Sequence, residues 1–241
     1  MFGAKNTTPT DAGRTLDTQR SSTTIALVLV MGLVTGCAAT SPGTAIHGAE
    51  PYPNDSAADW VTYADHVVVA TVTSEREMPR GDHEEDTGEG SVGRSLTLQA
   101  DEVVWSADDP AHGPPEGEFS MPGMGWTLTD GDRSPMVAED TPRLEVGHSY
   151  VFALFWMPEV PDEPEPYPAR WNALGLDAVV PFDDGIIGNG EEMGELVSPA
   201  QERRGPTHAD DATLEQTLAG EGLDALKSLL ATTPPDVRGS Y

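Results

Sequence analysis

The chain has 241 residues, of which 41 are acidic and 13 basic, and its formal net charge is −28. This charge argues against nucleic acid as a partner, because neutralising phosphates requires lysine and arginine, and it repels anionic lipid head groups. The single cysteine excludes an intramolecular disulfide and a metal site built on several cysteines. The 21 prolines and 25 glycines indicate short elements joined by many loops.

An uncharged apolar run occupies residues 25–34. A membrane-spanning helix needs about 20 apolar residues, so this shorter run fits the hydrophobic region of a signal peptide. Lys5, Arg14 and Arg20 lie upstream of it and outnumber Asp11 and Asp17. The alternative is a buried strand or helix followed by an ordinary buried cysteine. The polar sequence on both sides of the run favours the signal peptide.

The sequence Val34-Thr35-Gly36-Cys37 follows this run and resembles the lipobox of bacterial lipoprotein precursors. The resemblance covers about residues 20–40. It implies that a signal peptidase recognises Val34, Thr35 and Gly36, that residues 1–36 are removed, and that Cys37 receives diacylglycerol. Two or more acyl chains, palmitate among them, anchor a protein stably, so we expect the chain at the outer face of the cytoplasmic membrane. Cleavage leaves 10 basic and 39 acidic residues, a formal charge of −29.

The first part of the exported chain predicts a tether and two paired strands. Residues 37–58 are rich in small and polar residues, which is typical of a flexible tether. The β-branched run at 66–73 predicts a strand buried on both faces or closed in a small barrel. A solvated acidic loop at 75–93 precedes a second strand at 94–105, which we expect to pair with the first. Its alternation lapses at Ala100-Asp101, which predicts a bulge there.

Prolines and short apolar runs alternate in the rest of the domain. The most apolar segment, 149–156, is expected at the centre of the core, and the proline-rich segment 157–168 predicts an extended spacer. Further short strands are predicted at 118–121, 171–176 and 179–182. We expect a linker at 191–209 and a disordered end at 233–241. Between them, leucines at helical spacing predict an amphipathic helical tail at 210–232.

These elements predict a mainly β fold. The segments 64–72 and 144–152 resemble small five-stranded barrels of the OB-like and netrin-like type, and similar phrases occur in actinobacterial exported lipoproteins of unassigned function. The resemblance implies a five-stranded OB-like barrel at 59–190 with long acidic and proline-rich loops. Netrin-like inhibitors use a cysteine network that this domain lacks, so the inhibitor role does not follow.

No catalytic motif is visible. The chain has no Gly-x-Ser-x-Gly, no His-Glu-x-x-His and no phosphate-binding glycine pattern, so we predict no catalytic residue, no cofactor and no metal site. Asp183-Asp184-Gly185 with Asn189, Glu191 and Glu192 offers the oxygen ligands that calcium prefers. Its spacing does not match the calcium-loop pattern, so a hairpin turn followed by a solvated loop is favoured. The histidines are scattered along the chain, at His47, His66, His83, His112, His148 and His208.

The aromatic residues leave one alternative open. Met121, Met124 and Trp126 form either an exposed apolar binding patch or the cap of an open barrel end, and we favour the cap. The other tryptophans lie in or beside predicted strands and are expected in the core, at Trp60, Trp105, Trp156 and Trp171.

These features predict a lipid-anchored, non-enzymatic protein of the cell envelope whose β-domain binds a protein or cell-wall partner. The alternative is a sensory lipoprotein that captures a solute or a cation, and an envelope hydrolase comes third. Most of this interpretation depends on the lipobox.

The Cys37→Ala variant tests the anchor. We expect the protein to move from the membrane fraction to the soluble fraction of lysed cells, because the acylated thiol is absent. Immunoblotting of both fractions measures the change, and Ser41→Ala is the control. Unchanged membrane retention of the Cys37 variant would refute the lipobox.

Overall fold

A computed structural model describes residues 52–79, 89–138, 141–159, 168–202 and 212–239, and the backbone of 44–45. The chain divides into two compact units, 1–39 and 40–241, and every described residue belongs to the second. The predicted signal peptide and the residues Val34, Thr35, Gly36 and Cys37 lie outside the described residues, as does most of the predicted tether.

The predicted mainly β class is confirmed, since 45% of the described residues lie in strands and 19% in helices. The strands are β1 (Thr44–Ala45), β2 (His66–Glu77), β3 (Gly90–Ser106), β4 (Glu118–Thr129), β5 (Asp132–Val137), β6 (Ser149–Met157), β7 (Arg170–Ala173), β8 (Val179–Pro181), β9 (Gly190–Glu192) and β10 (Glu195–Val197). Eight of them form one sheet in the order β1-β5-β4-β3-β2-β6-β7, with β8 also paired to β6. The sheet curls into an antiparallel half-barrel with more strands than the five expected.

Strand β2 is buried on both faces, as its apolar run predicts. Val67 and Val69 pack beneath the helices in one core cluster. Val68, Ala70 and Val72 face the concave side of the sheet in the other. Alternate residues of a strand point to opposite faces, so a strand covered on both sides needs a continuous apolar sequence.

The pairing of β2 with β3 is irregular where the sequence indicates. The register passes from Val69↔Glu102 to Ala70↔Ala100, which leaves Asp101 as the extra residue of a bulge. Further shifts follow Val67 and Val72. Bulges increase local twist and bend a strand, so they contribute to the curl of the sheet.

In the part of the chain that the structure describes, four α-helices accompany the sheet: α1 (Ala57–Tyr63), α2 (Pro199–Glu202), α3 (Leu214–Leu218) and α4 (Leu223–Thr232). Helix α1 begins at a capping box in which Ser56 and Asp59 bond each other's backbone. Leu226 and Leu230 of α4 are buried against the same core cluster as Trp60 of α1. None of the helices in the described ranges is long and apolar enough to cross a membrane.

The described domain extends past both predicted boundaries. Tyr52 stacks on Tyr63 at 5.3 Å between ring centroids, so order begins before residue 59. At the other end, the Asp236 N–H donates to Thr62 Oγ1 at 2.7 Å and Arg238 Nε donates to the Thr62 carbonyl at 2.8 Å. Residues 233–239, predicted to be disordered, are therefore bonded to helix α1.

The prediction of a solvated loop after Asp183-Asp184-Gly185 is wrong for Glu191 and Glu192. Glu191 and Glu192 are only 2% and 9% exposed. Glu191 Oε1 accepts the Arg143 N–H at 3.1 Å, and Oε2 accepts the Leu144 N–H at 3.0 Å and the Tyr150 hydroxyl at 2.8 Å. A buried carboxylate is tolerated where such donors replace its water.

Tyr150 completes this buried group. Its hydroxyl oxygen accepts the Glu145 N–H at 2.9 Å while its proton is donated to Glu191. Burial raises the pKa of Tyr150 far above its usual value, and the negative charge and hydrogen bond of Glu191 raise it further. The folded protein therefore holds the Tyr150 proton more tightly than the unfolded chain does.

The Tyr150→Phe variant tests this coupling. We expect a loss of about 1–2 kcal/mol in the free energy of unfolding at pH 8, because a buried carboxylate loses one donor. The unfolded tyrosine ionises near pH 10, so the wild-type protein loses stability above that pH while the folded state retains the proton. The difference between the two proteins should therefore narrow by about 1 kcal/mol from pH 10 to 11.

Urea unfolding at pH 8, 10 and 11 measures this difference. Phe152→Leu is the control, because it alters the same strand without removing a titrating group, and its cost should not change with pH. A Tyr150→Phe cost that is also constant across this range would contradict the coupling.

Candidate functional site

A groove of about 870 Å³ opens at the seam of the half-barrel. Its lining combines aromatic, methionine and proline side chains with charged residues at the rim, among them Phe119, Met121, Trp156, Trp171, Arg76 and Glu118. It brings together residues from β2, β3, β4, β6 and β7 and from the loop after β3.

The groove exists because two strand edges are left open. Residues 118–123 of β4 pair only with β3, since β5 begins its pairing at Trp126. Strand β7 is the last of the sheet. The two strands approach within 8 Å between Cα atoms, and no ladder joins them among the described strands. Pro122 suits such an edge because it has no N–H to donate.

Two tryptophans and a histidine form the aromatic side of the groove. Trp156 and Trp171 meet edge to face with centroids 5.1 Å apart. The ring of His112 stacks on Trp156 at 4.1 Å and 22° and meets Trp171 edge to face at 5.7 Å. Such pairs contribute about 0.5–1.5 kcal/mol each beyond their burial, so this side of the groove is fixed in shape.

His66 holds the loop that carries His112. Its Nε2 lies 2.7 Å from the His112 carbonyl, and its Nδ1 lies 2.8 Å from Ser106 Oγ. A carbonyl only accepts, so Nε2 carries the proton and Nδ1 accepts the Ser106 hydroxyl. Both ring nitrogens of this buried histidine are therefore used in fastening the loop to β2 and β3.

Asp65 also fastens the loop that carries His112. Its carboxylate is 7% exposed and accepts the Ala111 N–H through Oδ1 and the Trp156 N–H through Oδ2, each at 2.7 Å. One side chain thus joins the loop of His112 to the strand of Trp156.

Two tryptophans that line the groove carry an indole N–H with no acceptor among the described residues. Trp60 Nε1 donates to the Asn54 carbonyl at 2.7 Å, whereas Nε1 of Trp156 and Nε1 of Trp171 make no hydrogen bond in the described part of the chain. Neither nitrogen is one of the buried polar atoms without a partner, so each retains some exposure to solvent, although Trp171 as a whole is only 5% exposed. The N–H of a buried indole usually has a hydrogen-bond partner. Two such groups without one in a single groove therefore favour a ligand that supplies acceptors.

Three of the charged residues at the rim take part in no ion pair among the described residues. These three are Arg76, Glu116 and Glu118. Arg170 lies beside them and approaches Met157 Sδ at 3.9 Å. The rim therefore carries two basic and two acidic side chains, whereas the chain as a whole is strongly acidic.

Trp126 is neither an exposed patch nor an apolar cap. Three guanidinium groups surround its ring, with Arg133, Arg143 and Arg94 at 4.2, 5.2 and 5.8 Å from its centroid. Cations are attracted to the face of an indole, and Arg94 is held by Glu75 at 2.6 Å. Met121 is buried in the concave core and lines the groove. The predicted triad therefore separates.

Among the described residues, the remaining candidates His148 and Asp183 form a contact within a turn. His148 Nδ1 lies 2.5 Å from Asp183 Oδ2, but the neighbouring Ser149 hydroxyl bonds Thr71 Oγ1 at 2.8 Å instead of the histidine. Asp183 also accepts the Ser149 N–H, so it closes a turn. Among the described residues, no group of three or more histidine, cysteine, aspartate or glutamate side chains is placed to hold a metal ion. His47, His83 and His208 lie outside those residues.

The chain matches no protein-family model, no curated protein and no solved structure. The site therefore has to be judged from its own geometry. The sequence places Trp156 and Trp171 in the core; Trp171 belongs to the concave cluster, and Trp156 is half-buried and packs against it. Their shared groove could not be predicted, although the prolines at 79, 114, 115, 122 and 168 that line it are a compositional signal.

The Asp65→Asn variant tests how the groove is fastened. We expect a loss of about 1–3 kcal/mol in the free energy of unfolding, because the amide offers an N–H where one of the two backbone donors needs an acceptor. Amide hydrogen exchange should accelerate at Ala111 and Trp156.

Asp101→Asn is the matched control, since that exposed carboxylate accepts only the Thr71 hydroxyl and should cost no more than about 0.5 kcal/mol. Equal effects of the two variants would contradict the role assigned to Asp65.

Proposed function

We propose that the protein is a non-enzymatic binding protein of the cell envelope, anchored through lipid on Cys37, whose groove binds a protein or cell-wall partner. The observation that carries the proposal is the groove itself, with two indole N–H groups that have no acceptor in the described chain and with Arg76, Glu116 and Glu118, which take part in no ion pair there. Binding sites in proteins combine an apolar lining with a few convergent polar groups, and this groove has that composition.

The way the groove is held supports binding without catalysis. Asp65 and His66 engage the backbone and a hydroxyl through short hydrogen bonds, so they serve to position the aromatic side chains. A catalytic acid or base has to reach a substrate, and these two side chains are buried at 7% and 1% exposure. A preorganised surface lowers the ordering cost of binding.

We also propose which strands form the predicted five-stranded barrel. We infer that the contiguous strands β4-β3-β2-β6-β7 correspond to the five strands of an OB-like barrel, and that α3 and α4 form its amphipathic tail. The curl of the sheet and the bulges between β2 and β3 support this relation. The seam between β4 and β7 is then where such a barrel stays open.

A small solute is the second candidate for the groove. The volume of about 870 Å³ falls in the range of small-molecule sites, roughly 300–1,000 Å³. A sensory lipoprotein that captures a solute would use the same aromatic lining, and the crosslinking experiment below separates the two ligand sizes.

Photo-crosslinking in intact cells tests the proposed function. Ser120 lines the groove, and p-benzoylphenylalanine at this position should yield a covalent adduct with a macromolecule of the envelope. The same group at Ser228, on the exposed side of α4, is the control and should yield no such adduct.

Adding Trp156→Ala to the Ser120 probe should reduce the adduct at least tenfold, because a central tryptophan contributes about 2 kcal/mol or more to binding. Thermal melting checks that this variant remains folded. A probe at Ser120 that captures only molecules of solute size would favour the second candidate, and no adduct at all would contradict both.

A further inference from the structure

We propose that the groove binds an extended, proline-containing peptide segment that carries a basic side chain at one end and a carboxylate about four residues away. This inference rests on the proposed function and names the chemical class of its partner. The segment would belong to another protein of the envelope.

The packing of the aromatic rings argues against a glycan as the ligand. A sugar ring binds tryptophan by lying flat on an uncovered face. His112 covers one face of Trp156, and Trp171 is 5% exposed and meets both neighbours edge to face. The groove therefore offers a sugar ring at most one face of Trp156 and almost none of Trp171.

The accessible N–H groups require a ligand rich in acceptors. Nε1 of Trp156 and Nε1 of Trp171 donate to nothing in the described part of the chain. A polyproline II segment has no internal hydrogen bonds and exposes all its carbonyls, while proline itself brings no N–H. Such a segment offers what the two indoles lack.

The shape of the groove fits the same class. Aromatic-lined grooves recognise proline-rich segments because these are already extended and lose little entropy on binding. Phe119 and Met121 supply apolar surface between the indoles and β4. Apolar pyrrolidine rings can fill such a surface without introducing polar groups that would need partners.

The rim charges fix the two ends of the ligand. Arg76 is in register with Ser95, and Ser95 with Pro122, so these three groove residues form one row across the sheet. Arg76 lies two strands from Pro122 across the sheet, an offset of roughly 10 Å at about 4.8 Å per strand, which the side chains of Arg76 and of the ligand's carboxylate residue have to span. Glu118 lies four residues from Pro122 along β4, a separation of roughly 14 Å at about 3.4 Å per residue. A polyproline II segment covers that distance in about four residues, at roughly 3.1 Å each.

The pairing follows from charge complementarity. Arg76 at one row attracts a carboxylate, while Glu118 and Glu116 at the other attract a basic side chain. Within the described ranges none of the three has an ion-pair partner in the chain. A ligand of one sign would satisfy one end and be repelled by the other.

Titration of the full-length protein in detergent micelles tests the inference, with three blocked peptides as probes. Lys-Pro-Pro-Pro-Asp should bind about two- to fivefold more tightly than Lys-Pro-Pro-Pro-Lys or Asp-Pro-Pro-Pro-Asp, the ratio expected from one exposed ion pair. Trp156→Phe, which keeps a ring and removes the N–H, should weaken binding of the first peptide about three- to tenfold.

A charge reversal provides the sharper comparison. Arg76→Glu should change the preferred probe from Lys-Pro-Pro-Pro-Asp to Lys-Pro-Pro-Pro-Lys, because both ends of the groove then carry carboxylates. Lys227→Glu on α4 reverses a charge whose partner is Glu102, and it should leave the preference unchanged. Trp105→Phe, which removes an indole N–H outside the groove lining, should leave the affinity unchanged.

The outcomes separate this inference from the proposed function. Absence of binding by all three peptides, while the Ser120 probe still captures an envelope macromolecule, would overturn the peptide assignment and leave the binding function standing. Binding of chitotetraose in place of the peptides would overturn it in favour of a glycan. An unchanged preference in Arg76→Glu would overturn the assignment of the ends.

Discussion

The carboxylate of Asp65 is the contact on which the groove depends. This carboxylate accepts one backbone N–H from the loop after β3 and one from β6. The backbone of Asp65 adds two more bonds, since its N–H donates to the Leu154 carbonyl and its carbonyl accepts the Ala107 N–H. A single residue thus joins three parts of the chain that are far apart in sequence. Removing either oxygen leaves a backbone donor without an acceptor, which costs more than a net hydrogen bond contributes. The orientation of Trp156, and of His112 stacked on it, follows from this junction.

The two halves of strand β4 have different neighbours. Its second half is paired with β5 and contains Trp126, whose ring is surrounded by three arginines neutralised in part by Glu75 and Glu145. Its first half has one neighbour and borders the groove. The chain has only 13 basic residues, and three of them lie over the ring of Trp126. Their cation–π contacts stabilise this half of the strand. Arg76 at the open end has no such partner in the described ranges, and we assign it to a ligand.

The sequence predicts what depends on local pattern and misses what depends on distant partners. The β-branched run of β2, its burial on both faces and the bulge at Asp101 follow from residue alternation and its single lapse. Burial of Glu191 could not be foreseen, because its donors at Arg143, Leu144 and Tyr150 precede it by about 40 residues or more. The groove escaped prediction for the same reason, since its tryptophans have the apolar neighbours of ordinary core residues. The lipidation of Cys37 remains a prediction.

The most direct test of the central claim is the indole N–H spectrum of the full-length protein labelled with ¹⁵N-tryptophan. The chain has five tryptophans, and the signal of Trp60, already bonded to the Asn54 carbonyl, serves as an internal reference. On addition of Lys-Pro-Pro-Pro-Asp, the signals of Trp156 and Trp171 should move downfield as their N–H groups gain acceptors, while the Trp60 signal stays in place. Saturating peptide that leaves both groove signals unmoved, or that moves all five alike, would contradict the claim that this groove binds a peptide.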